Sequence, residues 1–217
     1  MVNLAVIDYD MGNLHSACKG LEKAGGVPKI TNFPDDILSA DGVVLPGVGA
    51  FDPAMRHIRE RNLEETIKKA IASGKPFLGI CLGLQILFDG SAEGTERGLG
   101  IIPGIVRRFQ SEPNITIPQM GWNQLEFSQP QDPLWQNLPS DPYVYFVHSF
   151  YVDPLVPSVR SAMVTHGSQT VTAAIARDNL MAVQFHPEKS SDNGLKILSN
   201  FVSLVHKKQT LTNASIS

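Results

Sequence analysis

Short apolar runs recur along the first 90 residues of the chain, and segments with apolar side chains at helical spacing separate most of them. A continuous apolar run of this length is typical of a strand that is buried on both faces. The alternation predicts a largely parallel sheet with helices on both faces. The predicted strands are residues 2–9, 27–31, 42–46 and 76–80. The predicted helices are residues 13–26, residues 52–73 as one broken helix or two short ones, and residues 82–88.

The pattern changes from Gly98 onward, where short strand-like runs follow one another and are joined by Gly, Pro, Asn and Asp turns. This half is typical of an antiparallel meander. A last helix is predicted from Ser191 to about Lys207, and a polar end follows it. The sequence therefore predicts one α/β domain over residues 1–208, a mostly parallel sheet with an additional antiparallel region, and a flexible tail over residues 209–217.

The composition narrows the functional classes. The sequence has 217 residues, of which 42% are hydrophobic, and a formal net charge of −3 at pH 7. This is enough apolar content for one core, and the charge argues against nucleic acid or an anionic membrane as a partner. There is no basic region before the first apolar run, and no window approaches the roughly 18 apolar residues of a membrane span. Two cysteines without a C-x-x-C pair favour neither disulfides nor zinc. We expect a cytoplasmic protein without metal or cofactor.

The stretch GICLG, residues 79–83, has the shape of a nucleophile elbow with cysteine at its centre. Cys81 would sit in a strained turn between a strand and a helix, and the flanking glycines would let neighbouring backbone pass close to it. The free N–H groups of the following helix would favour the thiolate. A buried core thiol is the alternative, because free cysteine is among the most buried residue types. For Cys18, on a helix among apolar neighbours, a packing role is favoured.

A thiol nucleophile needs a base and a group that orients the base. Of the six histidines, His148 and His186 close apolar runs and are the two candidates. His186 is followed by Pro187 and Glu188, so in an extended strand the imidazole and the carboxylate would lie on the same side. The alternative is a turn at a strand end with a solvated glutamate.

An oxyanion hole is the third requirement of such a site. The stretch LPGVGAF, residues 45–51, places Gly47 and Gly49 in a loop that can turn backbone N–H groups inward. With the N–H of Leu82 this loop would supply two donors. A plain turn or a phosphate loop would also fit the pattern, although the Lys-Ser/Thr ending of a nucleotide P-loop is missing.

Three of these stretches, PGVGAF, GICLGLQ and HPE, in this order and spacing, resemble the class I, or triad, glutamine amidotransferases. Within that class, IDYDMGNLHS, PGVG, PQMGWN and YFVHSFY resemble the glutaminase subunits of imidazole glycerol phosphate synthase, an enzyme of histidine biosynthesis. The resemblance covers residues 2–205 and implies the single-domain fold of that class.

The resemblance also implies a role for each matching position. Cys81 would attack the carboxamide of L-glutamine, His186 would act as base and then acid, and Glu188 would orient it. Backbone N–H groups near Gly47 and Val48, with that of Leu82, would hold the oxyanion. The residues that would bind glutamine are Gly49, Gln85, Glu93, His148, Ser149 and Phe150.

A partner is implied as well, namely a (β/α)8 cyclase subunit that forms a heterodimer with the glutaminase and receives its ammonia. The family places Asn13, Trp122, Tyr145 and Lys189 at that interface. Asp10 stands where the family often has glycine and Phe150 where it often has tyrosine, and the tail after Lys208 has no counterpart. The other hypotheses are the glutaminase subunit of another pathway, such as pyridoxal phosphate synthase, a non-catalytic regulatory module on the same fold, and a stand-alone cysteine peptidase.

Overall fold

The computed structural model describes the backbone of residues 1–214 and the side chains of residues 1–211. Within this part the helices are α1 (Leu14–Lys23), α2 (Pro34–Ser39), α3 (Phe51–Glu60), α4 (Glu64–Ala72), α5 (Leu82–Gln85) and α6 (Ser191–Ala214). The strands are β1 (Val2–Ile7), β2 (Gly26–Thr31), β3 (Gly42–Gly47), β4 (Phe77–Cys81), β5 (Phe88–Ser91), β6 (Ile102–Arg108), β7 (Gln119–Gln124), β8 (Glu126–Phe127), β9 (Tyr143–His148), β10 (Phe150–Pro154), β11 (Arg160–His166), β12 (Gln169–Arg177) and β13 (Leu180–Val183).

The central sheet has a parallel half and an antiparallel half. Its order is β2-β1-β3-β4-β13-β12-β10-β6-β5, and the first five of these strands are parallel to one another. The strands β12, β10 and β6 pair in antiparallel fashion, and β7 and β9 form a separate small antiparallel sheet. The predicted α/β class and the additional antiparallel region are thus confirmed. The site described below lies where β3, β4 and β13 end, which is the usual place for sites in such sheets.

Two buried clusters cover the two faces of the sheet. Val6, Phe185 and Phe201 belong to the cluster beneath α1 and α6, whereas Ile7 and Phe51 belong to the cluster beneath α3 and α4. Successive residues of β1 thus enter opposite clusters, because side chains alternate between the faces of a strand. Both faces are apolar, and this explains why the parallel strands read as continuous apolar runs.

Several boundaries differ from the sequence-based predictions. The helix predicted over residues 82–88 ends at Gln85, because the chain enters β5 at Phe88 and pairs there with β6. The apolar run YVYFVHSFYV, residues 143–152, is predicted as one strand but splits at Ser149, since β9 belongs to the small sheet and β10 to the central sheet. Residues 52–73 form two helices, one of the two possibilities foreseen.

The chain's last helix also differs from its prediction. It continues to Ala214, past the predicted end near Lys207. The predicted flexible tail over residues 209–217 lies partly outside the described residues. Within residues 1–214, no helix combines the length and the apolar character that a membrane crossing requires.

Candidate active site

Cys81 sits at the junction of β4 and α5 with a strained backbone. Its φ of 55° and ψ of −109° lie in a region that non-glycine residues rarely adopt, as the elbow pattern predicted. A Cβ on Gly83 would overlap the carbonyl oxygen of Leu45, and a Cβ on Gly79 would come within 2.9 Å of the Ala182 Cβ. Both glycines are therefore required by close packing, and this packing holds the cysteine in its turn.

His186 and Glu188 form a buried pair beside this elbow. The Nδ1 of His186 lies 2.8 Å from Oε1 of Glu188, and the two side chains are only 2% and 4% exposed. The structure corrects the predicted reason for their contact. Glu188 lies in a short 3-10 turn, Pro187–Lys189, after the strand has ended, and this turn folds the carboxylate back onto the imidazole. Because the carboxylate can only accept, Nδ1 carries the hydrogen and Nε2 is left to act as a base.

The electrostatics of the pair favour a charged imidazole. Burial alone would lower the pKa of His186, but the interactions of its ring with Cys81 and with Glu188 outweigh burial and raise that pKa well above its ordinary value. Among the described residues, Nε2 has no hydrogen-bond partner of normal geometry, so its interaction with Cys81 is a close electrostatic contact. The charged imidazole of His186 therefore lies close to the Cys81 sulfur.

A cavity of about 310 Å³ opens over the cysteine, which is within the size range of small-molecule sites. It brings together most of the residues predicted from the sequence. Glu188 lies behind His186 and Gly47 lies behind Val48, so neither contributes to the wall. The predicted residues that line the cavity are Val48, Gly49, Cys81, Leu82, Gln85, Glu93, His148, Ser149, Phe150 and His186.

The predicted oxyanion donors lie on either side of the sulfur. Gly47 pairs with Cys81 in the register of β3 and β4, so the glycine loop leaves its strand beside the elbow. Val48 is 39% exposed and lines the cavity, and Leu82 lines it as the first residue of α5. The N–H of a first helical residue has no partner within its own helix and can point at a ligand. Leu82 and the loop that carries Val48 therefore border the cavity next to Cys81, where an oxyanion would need backbone donors.

The glutamate of the cavity wall is held by a helix end. Oε2 of Glu93 accepts a hydrogen bond of 2.9 Å from the backbone N–H of Phe51, the first residue of α3. A carboxylate at this position is favoured by the positive end of the helix dipole. Its negative charge is thereby fixed at the rim of the cavity, where it suits a positively charged group of a ligand.

His148 is the second buried histidine of the cavity and has a different environment. Nδ1 lies 2.7 Å from the carbonyl oxygen of Phe150 and Nε2 lies 3.0 Å from the side chain of Gln119. Burial lowers the pKa of His148 to about 4, so the ring is neutral at physiological pH. Nδ1 must donate to the carbonyl, and Nε2 must then accept. We therefore assign the Gln119 side chain with its NH₂ group toward His148. This assignment exchanges the amide oxygen and nitrogen, which have similar shape.

Two buried amides of the site were not predicted from the sequence. Gln184 places its Nε2 3.7 Å from the sulfur of Cys81, and Gln119 contacts His148. Gln184 is two residues before His186 in an otherwise apolar run, so the period of a strand puts both on one side. A polar residue inside an apolar strand next to a candidate base was the signal for Gln184. The contact of Gln119 depends on the pairing of β7 with β9 and had no local signal.

None of the four predicted interface residues lines the cavity. Asn13 caps α1 and accepts a hydrogen bond from the N–H of Ser16. Trp122 and Tyr145 pair across the small sheet with their ring centroids 6.1 Å apart, and Trp122 is 53% exposed. Trp122 is therefore not a core side chain. Lys189 is exposed directly after Glu188.

Comparison with known proteins gives the same assignment as the site. The family model of class-I glutamine amidotransferases matches residues 5–205. The imidazole glycerol phosphate synthase subunit HisH of Gloeothece citriformis is 73% identical over 208 residues, which are 96% of this chain and 99% of that protein. The subunit HisH of Microcystis aeruginosa is 73% identical over 207 residues, which are 95% of this chain and 98% of that protein.

A solved structure with little sequence similarity shares the fold. The structure of PurLQS from Thermotoga maritima superposes with a TM-score of 0.72 at 20% identity, over 94% of this chain and 98% of that chain. At this identity the likeness concerns the fold alone, whereas the family match and the 73% identities extend to the sequence. The chain therefore belongs to the class I glutamine amidotransferases and, within them, to the HisH family.

Proposed function

We propose that the chain is the glutaminase subunit of imidazole glycerol phosphate synthase in histidine biosynthesis. It hydrolyses L-glutamine and passes ammonia to a (β/α)8 cyclase subunit, which forms imidazole glycerol phosphate and AICAR. The observation that carries the proposal is the buried pair of His186 and Glu188 beside a strained cysteine on a cavity wall. Relatives named HisH at about 70% identity favour this pathway over another glutaminase such as that of pyridoxal phosphate synthase.

The chemistry follows from the roles of the three side chains. The Cys81 thiolate attacks the carboxamide carbon of glutamine, and the imidazolium of His186 gives its proton to the nitrogen that leaves as ammonia. A γ-glutamyl thioester remains on the sulfur. His186, now neutral, takes a proton from water, which attacks the thioester and releases glutamate and the thiolate. Glu188 holds Nδ1 throughout and stabilises the charged ring.

Two further groups of residues support the transition state and the substrate. The N–H groups of Val48 and Leu82 stabilise the negative oxygen of each tetrahedral intermediate, with Gly47 giving the loop its freedom to turn. Glu93 offers its charge to the α-ammonium of glutamine. The remaining contacts that we assign to the substrate come from Gly49, Gln85, His148, Ser149 and Phe150.

The partner docks over the mouth of the cavity in this proposal. The exposed Trp122 and the half-buried Tyr145 form an aromatic pair of the kind that partner surfaces bury, and we assign Asn13 and Lys189 to the same interface at the rim of the cavity. A subunit covering this rim receives ammonia before water can protonate it. We further infer that residues 1–208 form one cytoplasmic domain, although α6 continues past this predicted boundary to Ala214.

A Cys81→Ala variant, assayed with the cyclase subunit, tests the proposal. We expect glutamine-dependent formation of imidazole glycerol phosphate to be lost, because the nucleophile is missing. Ammonia-dependent formation should remain at the wild-type level, because the cyclase site is unaltered. A Cys18→Ala variant is the matched control and should retain both activities. Glutamine-dependent turnover by Cys81→Ala would refute the proposed mechanism.

The effect of the partner on the glycine loop gives a second test. By analogy with the family, the peptide between Gly47 and Val48 turns its N–H into the cavity only in the complex. The isolated chain should then hydrolyse glutamine far more slowly than the heterodimer. Comparison of glutamate production with and without the cyclase measures this, and rapid hydrolysis by the isolated chain would contradict it. A chain without hydrolysis in either state would instead be a regulatory module.

A further inference from the structure

We propose that Gln184 is a further catalytic residue, whose side-chain amide donates a hydrogen bond to the Cys81 sulfur and stabilises the thiolate. The inference deepens the proposed function, because it concerns the same nucleophile. It can nevertheless be tested without glutamine and without a partner subunit, because the reactivity of the sulfur toward a small alkylating reagent reports on it directly.

The position of Gln184 is fixed from both sides. It directly follows β13, and its backbone N–H donates a hydrogen bond of 2.8 Å to the carbonyl oxygen of Ala173 on β12. Its side chain is completely buried, and its Nε2 lies 3.7 Å from the sulfur of Cys81. An amide that is fully removed from water must find its hydrogen bonds inside the protein, and the sulfur is one of its partners.

The direction of the amide follows from a chain of hydrogen bonds. The Nε2 of Gln85 lies 3.2 Å from the carbonyl oxygen of Phe150 and 3.1 Å from Oε1 of Gln184. The carbonyl oxygen of Phe150 can only accept, so Gln85 must present its NH₂ group there, and its second hydrogen reaches Gln184. Gln184 must then present its oxygen to Gln85 and its NH₂ group to the sulfur. The carbonyl oxygen of Phe150 therefore sets the orientation of Gln85, and Gln85 in turn sets the orientation of the Gln184 amide beside Cys81.

A donor in this place favours the charged form of the sulfur. Hydrogen bonds to an ionised partner are about twice as strong as those between neutral groups, and burial increases the difference. His186 and Tyr9 are two titratable groups that interact with Cys81. Burial raises the pKa of Tyr9, so this phenol stays neutral. His186 supplies the counter-charge and the proton. Gln184 supplies a neutral hydrogen-bond donor that cannot protonate the sulfur.

The chain of bonds also connects the sulfur to the substrate wall. Phe150 and Gln85 both line the cavity, whereas Gln184 lies beneath it. In the proposed function the same two residues contact glutamine. Gln184 therefore joins the nucleophile to the substrate wall through side-chain amides whose orientation is fixed. This connection explains why an amide rather than an apolar side chain occupies an otherwise apolar core position.

Alkylation of Cys81 by iodoacetamide across a pH series tests the inference, with peptide mapping to separate Cys81 from Cys18. In Gln184→Met the donor is lost, and we expect the pH midpoint of the alkylation rate to rise by about one unit, with roughly tenfold slower alkylation below that midpoint. Gln184→Glu should shift the midpoint further, because a carboxylate oxygen then faces the sulfur. Gln85→Met frees the amide to turn and should give a smaller shift in the same direction.

Asn179→Ala is the matched control. Asn179 precedes β13 at the strand's other end, and its side chain donates hydrogen bonds of 2.9 Å and 2.6 Å to the carbonyl oxygens of Ile71 and Lys75. Its loss should lower stability without moving the midpoint. An unchanged midpoint in Gln184→Met would overturn the inference, and if that variant does not fold, an unchanged midpoint in the near-isosteric Gln184→Glu would do so. Absence of glutamine hydrolysis by wild type with its partner would refute only the proposed function.

Discussion

The two walls of the cavity each hold one buried histidine, and the two rings have opposite electrostatics. His186 stands on the wall of the elbow, where a carboxylate and a thiol raise its pKa. His148 stands on the wall of the small sheet, where burial lowers its pKa to about 4 and its partners are a carbonyl and an amide. Both side chains are almost entirely removed from solvent, at 2% and 6% exposure, and the partners of His186 outweigh its burial whereas those of His148 do not.

The difference assigns a separate task to each wall. A ring that faces charged partners can move protons, whereas a ring that faces neutral ones serves as a fixed hydrogen-bonding spacer. In the second role His148 holds the turn between β9 and β10 through the carbonyl oxygen of Phe150. That turn forms part of the cavity wall. The side of the cavity with His186 is therefore suited to proton transfer. The side with His148 is suited to holding the cavity wall in a fixed position.

Replacement of each histidine by asparagine should separate the two walls most strongly. We expect His186→Asn to lower kcat for glutamine by about 10³-fold, because the proton acceptor is lost. His148→Asn keeps a donor near the position of Nδ1, so kcat should fall by less than about tenfold and KM should rise. Steady-state glutamate production by the heterodimer measures both. Equal losses of kcat would contradict the division of tasks.

Acid should destabilise the folded chain through the protonation of His148. In the folded chain its pKa is about 4, and in the unfolded chain it returns to about 6.5. The unfolded chain therefore binds the additional proton between these values, and the free energy of unfolding falls as the pH decreases through this window. We expect a loss of roughly 3 kcal/mol from this group.

Urea unfolding at a series of pH values checks this, with His148→Asn as the comparison. The variant should be less stable at neutral pH, and its stability should depend less on pH within the window. For His186 the sign is opposite, because its pKa is raised on folding, so its contribution is present at low pH and disappears as the pH rises. A wild-type stability that does not change between pH 6.5 and pH 4 would be inconsistent with a neutral His148.

Glu188→Gln should lower the activity, because it changes the tautomer of His186. The amide can donate to Nδ1, so the hydrogen of the neutral ring moves to Nε2, which can no longer accept the proton of the thiol. We expect kcat for glutamine to fall by about 10²-fold, with little change in KM. Glu126→Gln, on the exposed strand β8, is the control and should behave as wild type. Unaltered kcat in Glu188→Gln would assign the carboxylate a purely structural role.

Local sequence patterns predicted the side of the cavity that holds Cys81, His186 and Glu188. The glycines around Cys81 and the spacing of His186 and Glu188 were visible because each depends on neighbours in the chain. The parallel strands were visible for a similar reason, since burial on both faces leaves a continuous apolar run. The reason given for the contact of His186 with Glu188 was nevertheless wrong, because the 3-10 turn depends on packing after the strand ends.

Long-range pairing determined the features that the sequence did not predict. The split of residues 143–152 into two sheets and the contact of Gln119 with His148 both require the partner strand β7. The early end of α5 follows from the pairing of β5 with β6, which overrides a helical pattern. The helix α2 has six residues, too few for a periodic pattern to be recognised. Such features depend on residues far apart in the sequence.

Replacement of Gln119 by glutamate should make the pKa of His148 more similar to that of His186. Gln119→Glu places a carboxylate 3.0 Å from Nε2 of His148, where the wild type has an amide. A negative charge at this distance favours the imidazolium, so we expect the pKa of His148 to rise by about one unit or more. NMR titration of the imidazole signals measures the change, and the loss of stability in acid should become smaller.

The control for this exchange is Gln124→Glu, which adds the same charge at the other end of β7. It should leave the pKa of His148 at about 4. The activity should not improve in Gln119→Glu, because Nδ1 still donates to the carbonyl oxygen of Phe150 and Cys81 still has His186 as its base. A pKa of His148 that stays at its wild-type value in Gln119→Glu would show that burial outweighs the partner. The contrast between the walls would then depend on how deeply each ring is buried.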